Sequence, residues 1–313
     1  MATEIPIMDM SLYGLDVVSE KEVDTVTIRS LAESLCGALR DVGFCYIKNH
    51  GFKQSLIDRI MSVNRTFFEM PVEYKSTYLR QESGVTYGWV PRETESLNLT
   101  NLSDYKEAFN YPPTEGIVLI PDLKDYKETM DEFRTSCIRL VNRILDLMSV
   151  GLELEDRHFL RKCHQAIGEK DNKSSLRALY YPEIPTNKDI KPNQVRCGEH
   201  TDYGSLTMLF QDDVGGLEVC NQQGKYVPAS PIPGTILINI GDMMQRWTSD
   251  TLIATKHRIL MPNDEMKKRR SRQSFAFFVQ PDDDVMIKCL DNSNKYEPIS
   301  SLQYLQERLA PTY

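Results

Sequence analysis

Hydrophobic positions recur at helical spacing in the first half of the chain and change to short β-type runs in the second half. Residues 24–41 carry apolar side chains along one helical face, at Val26, Leu31, Leu35 and Leu39. Similar spacing predicts three more helices, at 56–68 with an end near Pro71, at 126–152 and, more briefly, at 156–163. From Leu176 onward, short runs are broken by Gly, Pro and Asp, which is typical of a β-sandwich or barrel.

One of these runs, from Arg272 to Val279, is rich in aromatic residues and is followed by Pro281 and Asp282. This composition predicts a buried strand. Because side chains alternate between the two faces of a strand, Arg272 and Ser274 share one face. A guanidinium beside a hydroxyl is a good receptor for a carboxylate, since the planar guanidinium binds two oxygens at once.

Three further polar residues form a second pattern. His200 and Asp202 are two positions apart, and His257 lies well downstream. On an extended strand the first two point to the same side. A second imidazole from a neighbouring strand would place two histidines and one carboxylate on one side of a metal. That arrangement leaves coordination positions open and is expected of non-haem Fe(II) oxygenases.

The segments around these residues resemble the Fe(II)/2-oxoglutarate-dependent dioxygenases, specifically the isopenicillin N synthase-like group. At the site the resemblance rests on the His-Thr-Asp run at 200–202, the His-Arg-Ile run at 257–259 and Arg272-x-Ser274. Further similar segments are spread along nearly the whole chain, at 42–51, 67–71, 104–109, 176–182, 215–217 and 239–242. A motif in such a context is far more specific than the motif by itself.

The resemblance implies an α+β fold, with a double-stranded β-helix (jelly roll) core and an N-terminal helical layer packed against it. A jelly roll also suits the chemistry, because a closed double sheet holds a ligand between its walls. We therefore expect a mostly helical region over residues 1–165 and a jelly-roll dioxygenase domain over residues 170–313. The two are expected to fold as one unit.

The resemblance also implies roles for individual residues. His200, Asp202 and His257 would hold Fe(II), and 2-oxoglutarate and O2 would be the co-substrates. Arg272 and Ser274 would bind the C5 carboxylate of 2-oxoglutarate, and Tyr181 matches a tyrosine that often adds a hydroxyl there. The expected reaction oxidises a small molecule, most simply by hydroxylation, and releases succinate and CO2.

The expected substrate residues come from a narrower likeness. The runs 200–205, 214–219, 245–248 and 305–313 look most like fungal members of the family that act on a nucleobase such as thymine. By that resemblance Arg177, Tyr203 and Phe278 would line the substrate pocket. The two aromatic rings would enclose a flat ring, and Arg177 would bind its carbonyl oxygens. The same residue types fit other small polar molecules, because arginine is a general receptor for oxygen atoms.

Composition limits the kind of partner. The 37 Lys and Arg against 45 Asp and Glu leave a net charge of -8, which argues against nucleic acid as a partner. No apolar run reaches membrane-spanning length, and no secretory signal is recognisable, so no membrane partner is expected. The 7 cysteines lack a CxxC pair, which favours reduced thiols and a cytoplasmic location. Oligomeric state is left open.

Two other functions remain open at this point. An oxidase of the same fold would use Fe(II) and O2 without 2-oxoglutarate, and it would form no succinate. A non-catalytic protein could instead have kept the barrel to bind a small molecule, with tight binding and no O2-dependent turnover. Dinucleotide- and phosphate-binding enzymes are not indicated, since neither a GxGxxG nor a P-loop follows a predicted strand.

Overall fold

The computed structural model describes residues 4–80, 87–95, 104–113, 119–170, 172–184, 195–262 and 265–309. The helices of this part are α1 (Thr25–Asp41), α2 (Gln54–Glu69), α3 (Val72–Ser76), α4 (Tyr126–Gly151), α5 (Phe159–Lys162), α6 (Asp242–Trp247), α7 (Glu265–Lys268) and α8 (Ser301–Leu309). The bounds of the long helices agree with the hydrophobic spacing of the sequence, but Val26, one of the apolar positions used to predict α1, is 79% exposed. Helix α1 begins where the Asp24 side chain accepts hydrogen bonds from the backbone N–H groups of Val26 and Thr27, the usual way to satisfy a helix start.

The strands come from both halves of the chain. They are β1 (Ile7–Asp9), β2 (Phe44–Lys48), β3 (Gly88–Val90), β4 (Glu107–Tyr111), β5 (Ser175–Tyr181), β6 (Cys197–His200), β7 (Leu206–Gln211), β8 (Leu217–Cys220), β9 (Tyr226–Pro228), β10 (Thr235–Ile240), β11 (His257–Ile259), β12 (Arg272–Val279), β13 (Met286–Ile287) and β14 (Ile299–Ser300). Strand β12 is the buried aromatic strand that the sequence predicts.

Two sheets of unequal size hold the site between them. The major sheet has eight strands in the order β1-β2-β10-β7-β12-β5-β4-β3, and the minor sheet has four in the order β6-β11-β8-β9. Apart from the parallel pair β1–β2, the major-sheet pairs are antiparallel. An apolar cluster containing Tyr46 and Leu237 of the major sheet and Leu217 and Val219 of the minor sheet joins the two.

Side-chain alternation gives the major sheet two different faces. On β12, Phe275, Phe277 and Val279 enter the main hydrophobic core, whereas Ser274, Ala276 and Phe278 line a cavity between the sheets. Strands β5, β7 and β10 alternate in the same way. Because the side-chain period of a strand is two, a slip of one residue would exchange these faces. The register of β12 with β5 and β7 therefore fixes which polar groups reach the cavity.

The helical layer packs on the outer face of the major sheet. Phe133 of α4 is fully buried and touches Phe210 of β7, with ring centroids 4.7 Å apart, and Phe275 of β12 at 6.0 Å. It also contacts Phe52, whose ring centroid is 5.5 Å away. Aromatic contacts of this kind contribute beyond the area that they bury. The long helix α4 is thus anchored to the sheet strands that carry the cavity.

Among the described residues, no helix combines the length and apolar character needed to cross a bilayer. The first 165 residues contribute strands β1 to β4 to the major sheet as well as the helical layer. We propose that residues 1–165 and 170–313 form one cooperative folding unit, because strands of both ranges pair within one sheet.

The variant Phe133→Ala tests this unit. Truncating a buried phenylalanine removes its contacts and leaves a cavity, so the free energy of unfolding should fall by about 3–5 kcal/mol. Unfolding in denaturant should remain one transition when circular dichroism and tryptophan fluorescence are compared. The matched surface change Val18→Ala, at a residue that is 100% exposed, should leave stability unchanged. Two separate transitions in either protein would contradict the single unit.

Candidate metal centre and active site

The pairing of two minor-sheet strands brings the two predicted histidines together. His200 is the last residue of β6, His257 is the first of β11, and the two are directly opposite each other in the antiparallel register. Their ring centroids are 4.2 Å apart. Asp202 follows β6 in the next loop, and one atom from each residue lies within 4.8 Å of the other two. The predicted neighbouring-strand histidine is thus present.

Hydrogen bonds orient each of the three side chains toward one point. The Nδ1 atoms of His200 and His257 lie 2.8 Å and 3.1 Å from the backbone carbonyl oxygens of Gly198 and Thr255. This leaves the Nε2 atoms to face Asp202, each 3.7 Å from its Oδ1. A ring nitrogen held by a carbonyl directs the other nitrogen toward a metal.

The two oxygens of the Asp202 carboxylate have different partners. Its Oδ2 accepts hydrogen bonds from the Thr207 hydroxyl at 2.6 Å and from the Asn239 amide at 2.7 Å, whereas its Oδ1 faces the two imidazoles. Burial opposes ionisation, but His257 and His200 lower the pKa of Asp202 overall. Burial and the neighbouring His200 lower the pKa of His257 to about 4. At neutral pH His257 is therefore a neutral imidazole and Asp202 an ionised carboxylate, and these are the forms that bind metal.

Tight backbone packing holds the loop that carries Asp202. The first N–H groups of α6 donate to this loop, from Asp242 to the Asp202 carbonyl at 2.7 Å and from Met243 to the Tyr203 carbonyl at 3.1 Å. A Cβ on Gly241 would collide with the backbone of Gly204. Only glycine permits so close an approach of two chain segments. The position of the carboxylate is therefore built into the backbone.

A cavity of about 220 Å³ extends from this cluster between the sheets. Tyr181 and Ser274 line one end, and Arg272, which is 0% exposed, contacts both of them. Its Nη1 donates to the Ser274 hydroxyl at 3.2 Å, and its guanidinium carbon lies 4.9 Å from the Tyr181 ring centroid. Burial raises the pKa of Tyr181 to about 12, so its hydroxyl stays protonated. The structure thus brings together Tyr181, Arg272 and Ser274, which were predicted to bind the C5 carboxylate of 2-oxoglutarate. We name these three residues the clamp.

The other end of the cavity contains the three predicted substrate residues, Arg177, Tyr203 and Phe278. It also contains Glu95, which the sequence reasoning missed. Glu95 forms ion pairs with Arg177, with Arg80 at 3.3 Å and with Lys106 at 3.9 Å. Burial favours the neutral acid, but Arg177 and Lys106 prevail and lower the pKa of Glu95 to about 2.

Lys106 connects this charged group to the metal-bearing strand. Its ammonium also pairs with Asp104, and Asp104 Oδ1 accepts a hydrogen bond from the backbone N–H of Gly198 at 2.9 Å. Gly198 lies on β6, two residues before His200. We name Arg80, Glu95, Asp104, Lys106 and Arg177 the charged wall.

Comparison with known proteins assigns this arrangement to a family. Residues 172–281 match the 2OG-Fe(II) oxygenase superfamily, and residues 5–129 match the N-terminal region of the family described as non-haem dioxygenase in morphine synthesis. A proline hydroxylase of Petromyces alliaceus is 32% identical over 307 residues, covering 91% of this chain and 94% of that protein. The chain belongs to the 2OG-Fe(II) oxygenase superfamily.

Other members of the superfamily are similar to this chain over nearly its whole length. A 2-oxoglutarate-dependent dioxygenase of Aspergillus rugulosus is 31% identical, covering 97% of this chain and 100% of that protein. The crystal structure of the thymine-7-hydroxylase of Neurospora crassa with alpha-KG and thymine has a TM-score of 0.84 at 29% identity and covers 99% of this chain and 97% of that chain. The predicted jelly-roll class and the likeness to fungal members are confirmed. The protein is an oxidoreductase, a dioxygenase that uses Fe(II) and 2-oxoglutarate.

The variant Asn239→Ala tests the orientation of Asp202. Loss of its hydrogen bond should weaken metal binding by roughly 10- to 100-fold while leaving all three ligands in place. Asp202→Ala should abolish the binding, because it removes the carboxylate itself. Anaerobic calorimetry with Fe(II) measures both effects.

A buried asparagine outside the site provides the control. Asn64 is 0% exposed and bonds within the helical layer to the Ile60 carbonyl and the Tyr126 hydroxyl. Asn64→Ala should lower stability and leave Fe(II) affinity unchanged. Equal Fe(II) affinity in Asn239→Ala and the parent protein would show that this amide does not orient the ligand.

Proposed function

We propose that this dioxygenase hydroxylates a small polar molecule bound at the charged wall of the cavity. In this proposal His200, Asp202 and His257 hold Fe(II), while Tyr181, Arg272 and Ser274 hold 2-oxoglutarate. The single observation that carries it is the arrangement of donor atoms. Three ligand atoms face one point, and the other polar atoms of the same side chains are already hydrogen-bonded to the protein. Two imidazoles and one carboxylate leave open positions on the metal.

The protein residues position and shield the reaction. Bound Fe(II) would allow O2, the oxidant, to place one oxygen atom in the substrate and the other in 2-oxoglutarate, which leaves as succinate and CO2. Leu209, Leu217 and Ile259 also line the cavity and add apolar surface to it. The edge of the Phe44 ring packs on His257, with centroids 5.4 Å apart, and this contact holds the imidazole in place.

The clamp residues match the distal carboxylate of 2-oxoglutarate. Arg272 is positively charged, and Ser274 and Tyr181 carry hydroxyls at the same end of the cavity. A charged hydrogen bond in a buried site is stronger than a neutral one. Arg272 is also held by the Gly215 carbonyl, 2.9 Å from its Nε, and by Gln211 at 3.3 Å from Nη2. These neutral partners orient the guanidinium without cancelling its charge.

The charged wall indicates what the substrate carries. Arg177 presents hydrogen-bond donors and Glu95 presents ionised acceptor oxygens within one ion pair. Such a pair suits a molecule with an N–H group near a carbonyl or carboxylate oxygen. Thymine and proline both have this combination, and they are named for the Neurospora crassa thymine-7-hydroxylase and for the proline hydroxylase of Petromyces alliaceus. Tyr203 and Phe278 add aromatic surface to the same region, so a flat nucleobase such as thymine is our first candidate.

The variant Arg272→Ala tests the clamp. Losing charged hydrogen bonds to a carboxylate should raise the dissociation constant of 2-oxoglutarate by roughly 10- to 100-fold. Iron binding should be mostly intact. The measurement is an anaerobic titration of the Fe(II)-loaded protein with 2-oxoglutarate, followed by the visible charge-transfer band of the chelated keto acid.

The titration has a control and separates the rival functions. Arg134→Ala, on α4 beside Pro112 and Pro113, should titrate like the parent protein. A parent protein that binds iron but develops no band would favour the oxidase that needs no 2-oxoglutarate. A parent protein without iron binding would favour a non-catalytic binding protein. An Arg272 variant that titrates like the parent protein would remove Arg272 from the clamp.

The variant Arg177→Leu tests the substrate end. Thymine, uracil and proline are first screened for succinate release above the substrate-free background. For the active compound the variant should lose roughly 10- to 100-fold in kcat/KM, because a charged hydrogen bond is lost. Substrate-free consumption of 2-oxoglutarate should stay as in the parent protein.

Arg59→Leu is the control for the Arg177 variant, since Arg59 is half-exposed on α2 and pairs with Glu132. It should have the activity of the parent protein. The variant Arg177→Leu keeps Glu95 paired with Arg80 and Lys106, so its fold should persist. Unchanged kcat/KM in Arg177→Leu would exclude contact between this residue and the substrate.

A further inference from the structure

A second arginine, Arg196, lies near the clamp. It is 1% exposed and directly precedes β6, and its backbone N–H donates to the Ile259 carbonyl on β11 at 3.0 Å. Its guanidinium carbon lies 5.9 Å from the centroid of the Tyr181 ring. Arg272 is 4.9 Å from the same centroid. The Tyr181 ring therefore contacts two buried guanidinium groups.

The hydrogen bonds of Arg196 do not balance its charge. Nη2 donates to the Arg270 carbonyl at 3.3 Å, and Nε is buried without a hydrogen-bond partner. The contacts of Arg272 are to neutral oxygens of Gly215, Ser274 and Gln211. Within the part of the chain that the structure describes, neither arginine forms an ion pair with a carboxylate. Buried cations are normally paired.

One carboxylate near the two arginines is hydrogen-bonded to the backbone. Asp212 acts electrostatically on both arginines. Its two oxygens, however, accept hydrogen bonds from the backbone N–H groups of Val214 at 3.0 Å and Gln273 at 2.6 Å. Burial and the charge of Arg272 lower the pKa of Arg196 to about 10, so Arg196 is still protonated at neutral pH. Two buried positive charges thus share one carboxylate.

The excess positive charge of Arg196 and Arg272 lies beside Tyr181, which is one of the clamp residues. A buried charge without an ion-pair partner is unfavourable, and the cost is offset when an anion binds. We propose that Arg196 is a positioning residue for 2-oxoglutarate. It adds a second positive charge at the clamp and supports the Tyr181 ring, and so favours 2-oxo acids that carry a distal carboxylate. The inference rests on the proposed clamp of Arg272, Ser274 and Tyr181.

We expect Arg196 to affect how strongly the protein prefers 2-oxo acids that carry a distal carboxylate. It should not affect how the 2-oxo acid group chelates Fe(II). An arginine close to a carboxyl group lowers the pKa of that group by roughly 1 to 3, and a change of one in pKa corresponds to about tenfold in an equilibrium constant. Removing the charge of Arg196 should therefore weaken the binding of 2-oxoglutarate about tenfold. A 2-oxo acid without the distal carboxylate has no anionic group at the clamp for this charge to attract, and its binding should be unchanged.

The experiment compares Arg196→Met and Arg196→Lys with the parent protein. Each Fe(II)-loaded protein is titrated anaerobically with 2-oxoglutarate and with 2-oxopentanoate, which lacks the distal carboxylate. The charge-transfer band gives both dissociation constants. We expect Arg196→Met to raise the dissociation constant of 2-oxoglutarate about tenfold and to change that of 2-oxopentanoate by less than about twofold. Arg196→Lys keeps the charge and should recover most of the lost affinity.

The outcomes separate this inference from the clamp itself. If the binding of both acids is weakened equally, Arg196 has only a structural role. If both affinities are unchanged, it has no role. Either result overturns the inference. If Arg196→Met does not fold, Arg196→Gln provides the same comparison with Arg196→Lys. A parent protein that shows no saturable band with 2-oxoglutarate overturns the clamp, and the role of Arg196 with it. A band in the parent protein with no selectivity change in the variants overturns the role of Arg196 alone.

Discussion

The antiparallel pairing of β6 with β11 is the constraint on which the site depends. It sets His257 opposite His200, and neither ring could take this place from a different register. Asp202 is then brought in by a loop whose carbonyls accept the first N–H groups of α6. The metal cluster is therefore held in place by backbone hydrogen bonds of the strand pair and of the loop. Preorganisation of this kind lets ligands bind without a large ordering cost.

The major sheet provides the second half of the constraint. Strand β12 places Phe275 and Phe277 in the core under α4 and, on its other face, Ser274 and Phe278 in the cavity. The same packing that stabilises the fold thus fixes the clamp. This coupling ties the clamp side chains to the position of the strand, while the Gly215 carbonyl, in the loop before β8, also holds Arg272. It also means that core substitutions on β12 will disturb co-substrate binding through strand position, without touching the cavity.

The parts that the sequence predicts well are local. Helix α1 and strand β12 follow from short-range spacing, and His200, Asp202, His257, Arg272 and Ser274 stand out because their chemistry is compressed into short motifs. The residues that it missed act over long separations. Glu95 meets Arg177 82 positions away, and Asn239 meets Asp202 37 positions away. Such partners carry no local signal, because their role exists only once the sheets have paired.

Arg196 illustrates a different limit. In the sequence it is one of many basic residues, and its neighbour Cys197 starts a short strand. Only burial reveals that its charge has no carboxylate partner among the described residues, and only the contact with Tyr181 connects that charge to the clamp. The pairing of charges is a property of the folded cavity, and it differs at the two ends.

At the clamp, Arg196 and Arg272 leave an excess of positive charge beside one acid, Asp212. The charged wall also has one more cation than carboxylate, but its charges are joined in direct ion pairs. In the proposed function, a dicarboxylate would supply the ion-pair partner that Arg196 and Arg272 lack, whereas a neutral or zwitterionic substrate at the wall need not disrupt several buried pairs. Under this proposal, the pairing of charges would separate the co-substrate from the substrate before shape is considered.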